Sequence, residues 1–141
     1  MQQRCSKYAL SSNLCLVVLC MGLFACRKIT TENMSGQWTV KYSRSNLVLD
    51  LRRDGTYEQV FRSEVDEKEL RRSGTWELKD LHGRHLVLHG PLIVEDDTGR
   101  IDKKLSNGSG DWILDVSWTP SGYRMPVNED LGLYFDRKAP D

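Results

Sequence analysis

From Gly36 to Phe135 the apolar residues fall at every second position, and turn-forming residues cut that alternation into short runs. A period of two belongs to an extended strand, whose side chains point alternately to the two faces of a sheet. No long stretch carries the 3.6-residue period of an amphipathic helix, so the chain is committed to β structure with one buried face. Trp38, Val40 and Tyr42 share a face, with Gln37, Thr39 and Lys41 on the other. Leu47, Leu49 and Leu51 alternate with Val48, Asp50 and Arg52. Asp54-Gly55 is a hairpin signal, Gly supplying the positive φ of a tight turn, and Tyr57 and Phe61 resume the inward face. The charged stretch from Ser63 to Lys68 reads as a projecting hairpin end, after which Trp76 and Leu78 return to the core. Leu81-His82-Gly83-Arg84 is a further turn, leading to Leu86 and Leu88.

Gly90-Pro91 interrupts the pairing, and Leu92, Ile93 and Val94 predict a short apolar strand or edge. The segment from Glu95 to Gly110 has the composition of a mobile loop. Trp112, Leu114, Val116 and Trp118 then give the cleanest alternation in the chain, turned at Pro120-Ser121-Gly122 into Tyr123, Met125 and Val127. Asn128-Glu129-Asp130 makes the last turn before Leu131 to Phe135. Eight or nine short strands joined mostly by tight turns must be antiparallel neighbours, and such a meander hides its edges by curling. The predicted fold class is all-β: one small up-and-down domain over residues 36–141, closed as a barrel or curved as a half-barrel.

The first 25 residues have the three parts of an export signal: a polar start with Arg4 and Lys7, an apolar stretch from Leu14 to Ala25, and a small residue at the cut. That apolar stretch is short of the roughly 20 residues that span a bilayer. Leu23, Ala25 and Cys26 resemble the bacterial lipobox, with Phe24 where a smaller residue is usual. The resemblance implies cleavage before Cys26, a diacylglycerol on its sulfur, and a cell-envelope lipoprotein held on the extracytoplasmic side of a membrane. By the sorting rule of Gram-negative lipoproteins, Arg27 in place of Asp implies the outer membrane, facing the periplasm. Residues 26–35 then serve as a tether, whose stretch from Arg27 to Met34 reaches roughly 25 Å, with one helical turn at Glu32 to Ser35 capped by Thr30 or Thr31.

Cys5, Cys15 and Cys20 leave with such a signal and Cys26 is consumed by lipid, so the folded part has no thiol for a disulfide or a Cys-ligated metal. Loss of Arg4 and Lys7 takes the 20 basic residues to 18 against 20 acidic ones, a net charge of about −2. Nucleic acid is thereby an unsuitable partner, since binding it needs a basic surplus on one face.

Gly36-Gln37-Trp38 resembles the Gly-x-Trp that opens the first strand of lipocalins. Leu49-x-Leu51-x-x-Asp54-Gly55-Thr56-Tyr57, followed by Gly74-Thr75-Trp76-x-Leu78, is similar to bacterial lipocalin-like lipoprotein domains. The resemblance covers the first half of the mature domain and implies a lipocalin-like barrel. In lipocalins a basic residue near the end of the last strand packs over the first-strand Trp, a place that Arg137 is available to take.

Trp38, Tyr57, Phe61, Trp76, Trp112 and Trp118 point to the same predicted interior. They line a cavity for a small apolar ligand, or they fill the core of a domain too small to leave one. His85 and His89 share a strand face but alternate with inward Leu86 and Leu88, and four residues of extended chain hold them about 13 Å apart, too far for one metal ion. Glu95, Asp96, Asp97 and Asp102 lack the ligand spacing of a calcium loop. No Gly-x-Ser-x-Gly elbow and no Ser/His/acid constellation is legible, so no catalytic residue, metal or cofactor is expected. Three function classes are left: a non-enzymatic, membrane-anchored lipoprotein that contacts another envelope protein, a lipocalin-like binder of a small apolar molecule, and, with the least behind it, an enzyme.

Overall fold

The computed structural model describes residues 29–65, 67–79, 84–94, 98, 100–101 and 110–137. The signal, Cys26, Arg27, His82, Asp102 and the acidic cluster at Glu95 to Asp97 lie outside the described residues. A one-turn helix, α1 (Thr31–Met34), precedes nine strands: β1 (Gly36–Lys41), β2 (Ser45–Leu51), β3 (Thr56–Ser63), β4 (Glu69–Lys79), β5 (His85–His89), β6 (Asp111–Asp115), β7 (Ser117–Thr119), β8 (Gly122–Asn128) and β9 (Leu133–Arg137). All are antiparallel, in the order β6-β5-β4-β3-β2-β1-β9-β8-β7. The molecule is therefore all-β, a nearly closed barrel-like sheet.

The two ends of that order, β6 and β7, are consecutive pieces of one stretch. Residues Asp111 to Asp115 pair with β5, and Ser117 to Thr119 pair with β8. Between them Val116 donates its N–H to the carbonyl of Arg84, 2.9 Å away. The alternation from Trp112 to Trp118 predicts a single strand; the observed one changes partner midway, the device by which a strand turns a barrel corner.

The alternation of the early strands is realised in the packing. Trp38 and Val40 of β1, Leu47, Leu49 and Leu51 of β2, and Tyr57 and Phe61 of β3 are all buried. Leu78 is only half-buried, packed against the core from the tapering end of β4. The predicted strand at Leu92 to Val94 is absent: Val94 makes one isolated bridge, to Ile101, and Leu92 turns into the core. Pro91 carries no N–H for a ladder, so this segment serves burial instead of pairing.

Closure of the sheet joins the end of the chain to its beginning. Thr30 caps α1, its hydroxyl oxygen accepting the N–H of Asn33 at 3.2 Å. The last carbonyls of the helix turn are then taken by side chains. Trp38 donates its indole N–H to Met34 at 2.8 Å, and Arg137 donates to the carbonyls of Asn33 at 2.8 Å and Ser35 at 2.7 Å. The guanidinium carbon of Arg137 stands 5.6 Å from the Trp38 ring centroid. Gly36, at φ 125°, keeps the chain close beneath that guanidinium, because a Cβ there would come 3.4 Å from Nη2.

Gly74 faces Tyr57 across the β3–β4 ladder, and the phenol ring lies over the place of its missing side chain. The Tyr57 hydroxyl crosses that gap and donates to the carbonyl of His89 at 2.9 Å. A Cβ on Gly74 would collide with that carbonyl and with the Tyr57 ring, both held by the sheet. Gly74→Ala is expected to destabilise the domain by about 2 kcal/mol through overpacking. Exposed Ser73→Ala beside it should change stability by less than about 0.5 kcal/mol. Urea denaturation followed by tryptophan fluorescence checks both.

Candidate functional site

The six aromatics named as a possible ligand cavity divide in the structure. Trp38, Tyr57, Phe61 and Trp76 are buried in the core. Trp112 is half-buried, its ring tilted 57° against Phe135 at 6.0 Å, and Trp118, opposite Tyr123 in β7, is also half-buried. The polar handles inside are committed to the backbone: Trp38 to Met34, Tyr57 to His89, and the Trp76 indole N–H to the carbonyl of Arg52 at 2.9 Å. Such bonds fix these rings as braces between the barrel wall and the chain that covers it.

A residue that the alternation leaves unremarked does the same work more completely. Gln59 is fully buried between Tyr57 and Phe61 on the inner face of β3. Its carboxamide pairs with both backbone groups of one residue: Leu92 N–H donates to Oε1 at 2.7 Å, and Nε2 donates to the Leu92 carbonyl at 3.4 Å. Further on, Ser45 donates to the carbonyl of Thr98 at 3.5 Å. The segment that follows β5 therefore runs as a strap along the inner side of β3, from His89 at Tyr57 to Leu92 at Gln59, and on toward Ser45. Leu92 and Val94 give the core part of its filling.

Two phenols feel this interior. Burial pushes the Tyr57 hydroxyl up to about 12 from its ordinary value near 10, the nearby Arg72 opposing it. Burial raises Tyr42 further, and its hydroxyl has no hydrogen-bond partner among the described residues.

His85 and His89 face outward, as their alternation predicts. His85 Nδ1 lies 2.6 Å from Asp115, and His89 lies 2.7 Å from Asp111 and 3.4 Å from Glu77. Among the described residues no group of three His, Cys, Asp or Glu side chains is placed to hold a metal ion. On β2, β3 and β4 the outer face carries a chain of ion pairs, Arg52 to Glu58, Glu58 to Arg71, Arg71 to Glu69 and Glu69 to Arg62. Exposed pairs of this kind contribute little stability, and here they complete one another.

The remaining feature is a recess in the wall at the β1–β9 seam. The β1–β9 ladder has two pairs, Trp38 with Arg137 and Thr39 with Asp136, and stops short of Val40 and Lys41. On the other side of β9, the β8 register shifts between Pro126 and Asn128. Pro126 has no N–H to give, and an irregular position suits it. Outside this loosely held corner lies a cavity of about 400 Å³ lined by Thr39, Lys41, Arg124, Gly132, Leu133, Tyr134 and Asp136. The Arg124 guanidinium rests 4.6 Å from the Tyr134 ring centroid. Lys41, Arg124 and Asp136 form no ion pair among the described residues. The turn at the rim is pinned, Leu131 N–H donating to Asn128 Oδ1 at 3.2 Å and Gly132 N–H to Glu129 at 3.0 Å, which leaves Leu131 half exposed.

Thr39 and Lys41, which the alternation places on the outer face of β1, line this recess, and none of the six candidate cavity aromatics does. Pro126 inside a strand pattern and Gly132 beside an apolar run are further sequence signals near it. Its chemistry is that of binding: two cations, one carboxylate, two hydroxyls and an apolar rim. No protein-family model, characterised protein sequence or solved structure was found to match this chain.

Replacing Gln59 by Leu leaves the Leu92 N–H and carbonyl buried without partners, at about 1–3 kcal/mol each. Gln59→Leu is expected to lower stability and to speed amide exchange at Leu92, as measured by hydrogen exchange. At high pH the buried phenols set the sign. Because the folded Tyr57 value lies above the unfolded one, its contribution is complete below pH 10 and is lost as pH rises through about 12. Absorbance titration should show Tyr57 and Tyr42 ionising together with unfolding, and Tyr57→Phe, which leaves the His89 carbonyl without its donor, should lower stability at neutral pH and lose less of it between pH 10 and 12.

Proposed function

We propose that the chain is an envelope lipoprotein, anchored through Cys26, whose barrel docks onto another envelope protein and performs no chemistry. The observation that carries this reading is the placement of binding groups. The recess, whose charges form no ion pair among the described residues, is on the outer wall, while the chain's own strap, paired with Gln59, takes up interior space. The lipocalin-like resemblance is consistent with a barrel frame put to this use. A second reading, a lipocalin-like barrel holding a small apolar molecule, draws on the buried Tyr42 hydroxyl, which has no hydrogen-bond partner among the described residues.

Expression of the full chain in a bacterial host fed an alkyne-tagged palmitate tests the anchor. The wild type should be labelled and sediment with membranes, and Cys26→Ala should lose both properties. Sedimentation of Cys26→Ala with the membranes sinks the lipid-anchor reading. A fluorescent fatty acid titrated into the purified protein separates the two functions. Saturable one-to-one binding that is abolished by Tyr42→Phe would favour the ligand-binding reading over the docking one.

A further inference from the structure

The recess at the β1–β9 seam has a charge order along the strands. Thr39 faces Asp136, and on the same outer face Lys41 and Tyr134 each lie two residues further toward the open end of the ladder. Arg124 is drawn to that open end by the Tyr134 ring. One end of the recess is thus cationic, with Lys41 and Arg124, and the other is anionic, with Asp136. The separation is that of alternate residues on a strand, about 6.6 Å.

An extended peptide presents alternate side chains on one face at that same spacing. Resting on the docking reading above, we propose that the recess takes an extended segment of the partner protein that bears an acidic and a basic side chain two residues apart. The acid meets Lys41 and Arg124, the base meets Asp136, and an apolar neighbour covers Leu131 and Leu133. A simple anion is a poorer match, because Asp136 repels it, and a run of acids is poorer still. The position along β1 agrees with a protein occupant. Gly36 adjoins the tether, and Lys41 lies about 17 Å further along the strand, at the end away from a lipid anchor. Exposed ion pairs are individually weak and screened by salt, so the segment binds modestly and in a salt-dependent way.

The test uses the full-length protein in detergent micelles and three fluorescein-labelled peptides that share a Thr-Val frame and differ in a central Glu-Val-Lys, Glu-Val-Glu or Lys-Val-Lys. Fluorescence anisotropy should show the mixed-charge peptide binding about tenfold tighter than either like-charge peptide, with the difference lost in 0.5 M salt at a Debye length of about 4 Å. Arg124→Gln should weaken the mixed peptide about threefold, or about 0.7 kcal/mol. Asp136→Asn should narrow the discrimination against Glu-Val-Glu. Both residues are on the surface, and unchanged thermal unfolding of the variants confirms that they fold. Equal binding of all three peptides, or no response to Arg124→Gln, overturns the proposal.

A photo-crosslinking residue at position 134 in intact envelopes, with one at position 69 on the ion-paired face as control, separates this failure from that of the docking reading. A discrete protein adduct at 134 without peptide discrimination removes the mixed-charge partner and leaves docking in place. Neither adduct nor peptide binding removes both. Adducts to phospholipid alone overturn the peptide proposal in favour of a headgroup site.

Discussion

Arg137 decides whether this sheet is a barrel or a ribbon. The last strand meets the first through two ladder pairs only, and the guanidinium adds what the ladder lacks. It spans the carbonyls of Asn33 and Ser35 and lies over Trp38, whose own N–H holds Met34. Helix, first strand and last strand are thus fixed at one point by a planar group with several donors in a rigid fork. Lys, a single flexible charge, has no equivalent geometry. The fully buried Trp38 and Met34 beneath it depend on that cover.

The interior is organised by the same economy of polar groups. Every buried donor or acceptor left unpaired costs about 1–3 kcal/mol, so a chain passing inside a small barrel needs partners from the wall. Gln59 gives Leu92 both a donor and an acceptor, standing in for one rung of a ladder, and Tyr57 gives His89 a donor. Gly74 makes room for that Tyr. Tyr57 thus brackets the start of the strap, while Trp38 holds the helix turn and Trp76 the turn after β2.

Much of the fold was legible because burial with a period of two leaves a direct trace in sequence. Trp38, Val40, Tyr42, Leu47, Leu49 and Leu51 are inward in the alternation and inward in the structure. Gln59 breaks the trace, since a carboxamide reads as solvent-facing unless its partner, 33 residues away, is known. Leu92 to Val94 read as a strand because apolar runs look alike whether they pair or plug. The partner change at Val116 left no mark, because the alternation continues through it while the hydrogen bonds move to another strand. The recess was the least visible part. Lys41, Arg124 and Asp136 are ordinary charged residues on outer strand faces, and only the pairing of β9 with both β1 and β8 brings them together.

The two-pair ladder also bears on how the chain reaches this shape. Nearly every other pairing joins neighbours along the chain, so hairpins can add one after another with little loop-closure cost. Joining β1 to β9 closes a loop of roughly 100 residues, an entropic cost of about 4 kcal/mol by chain statistics. That contact carries the highest sequence separation in the sheet and is the natural final step of folding. Before it forms, β1 and β9 are both free strand edges, open to pairing with any other extended chain. The corner of the molecule that is assembled last is thus also the corner that holds the recess, and crowding in the compartment where it folds would act on this seam before any other.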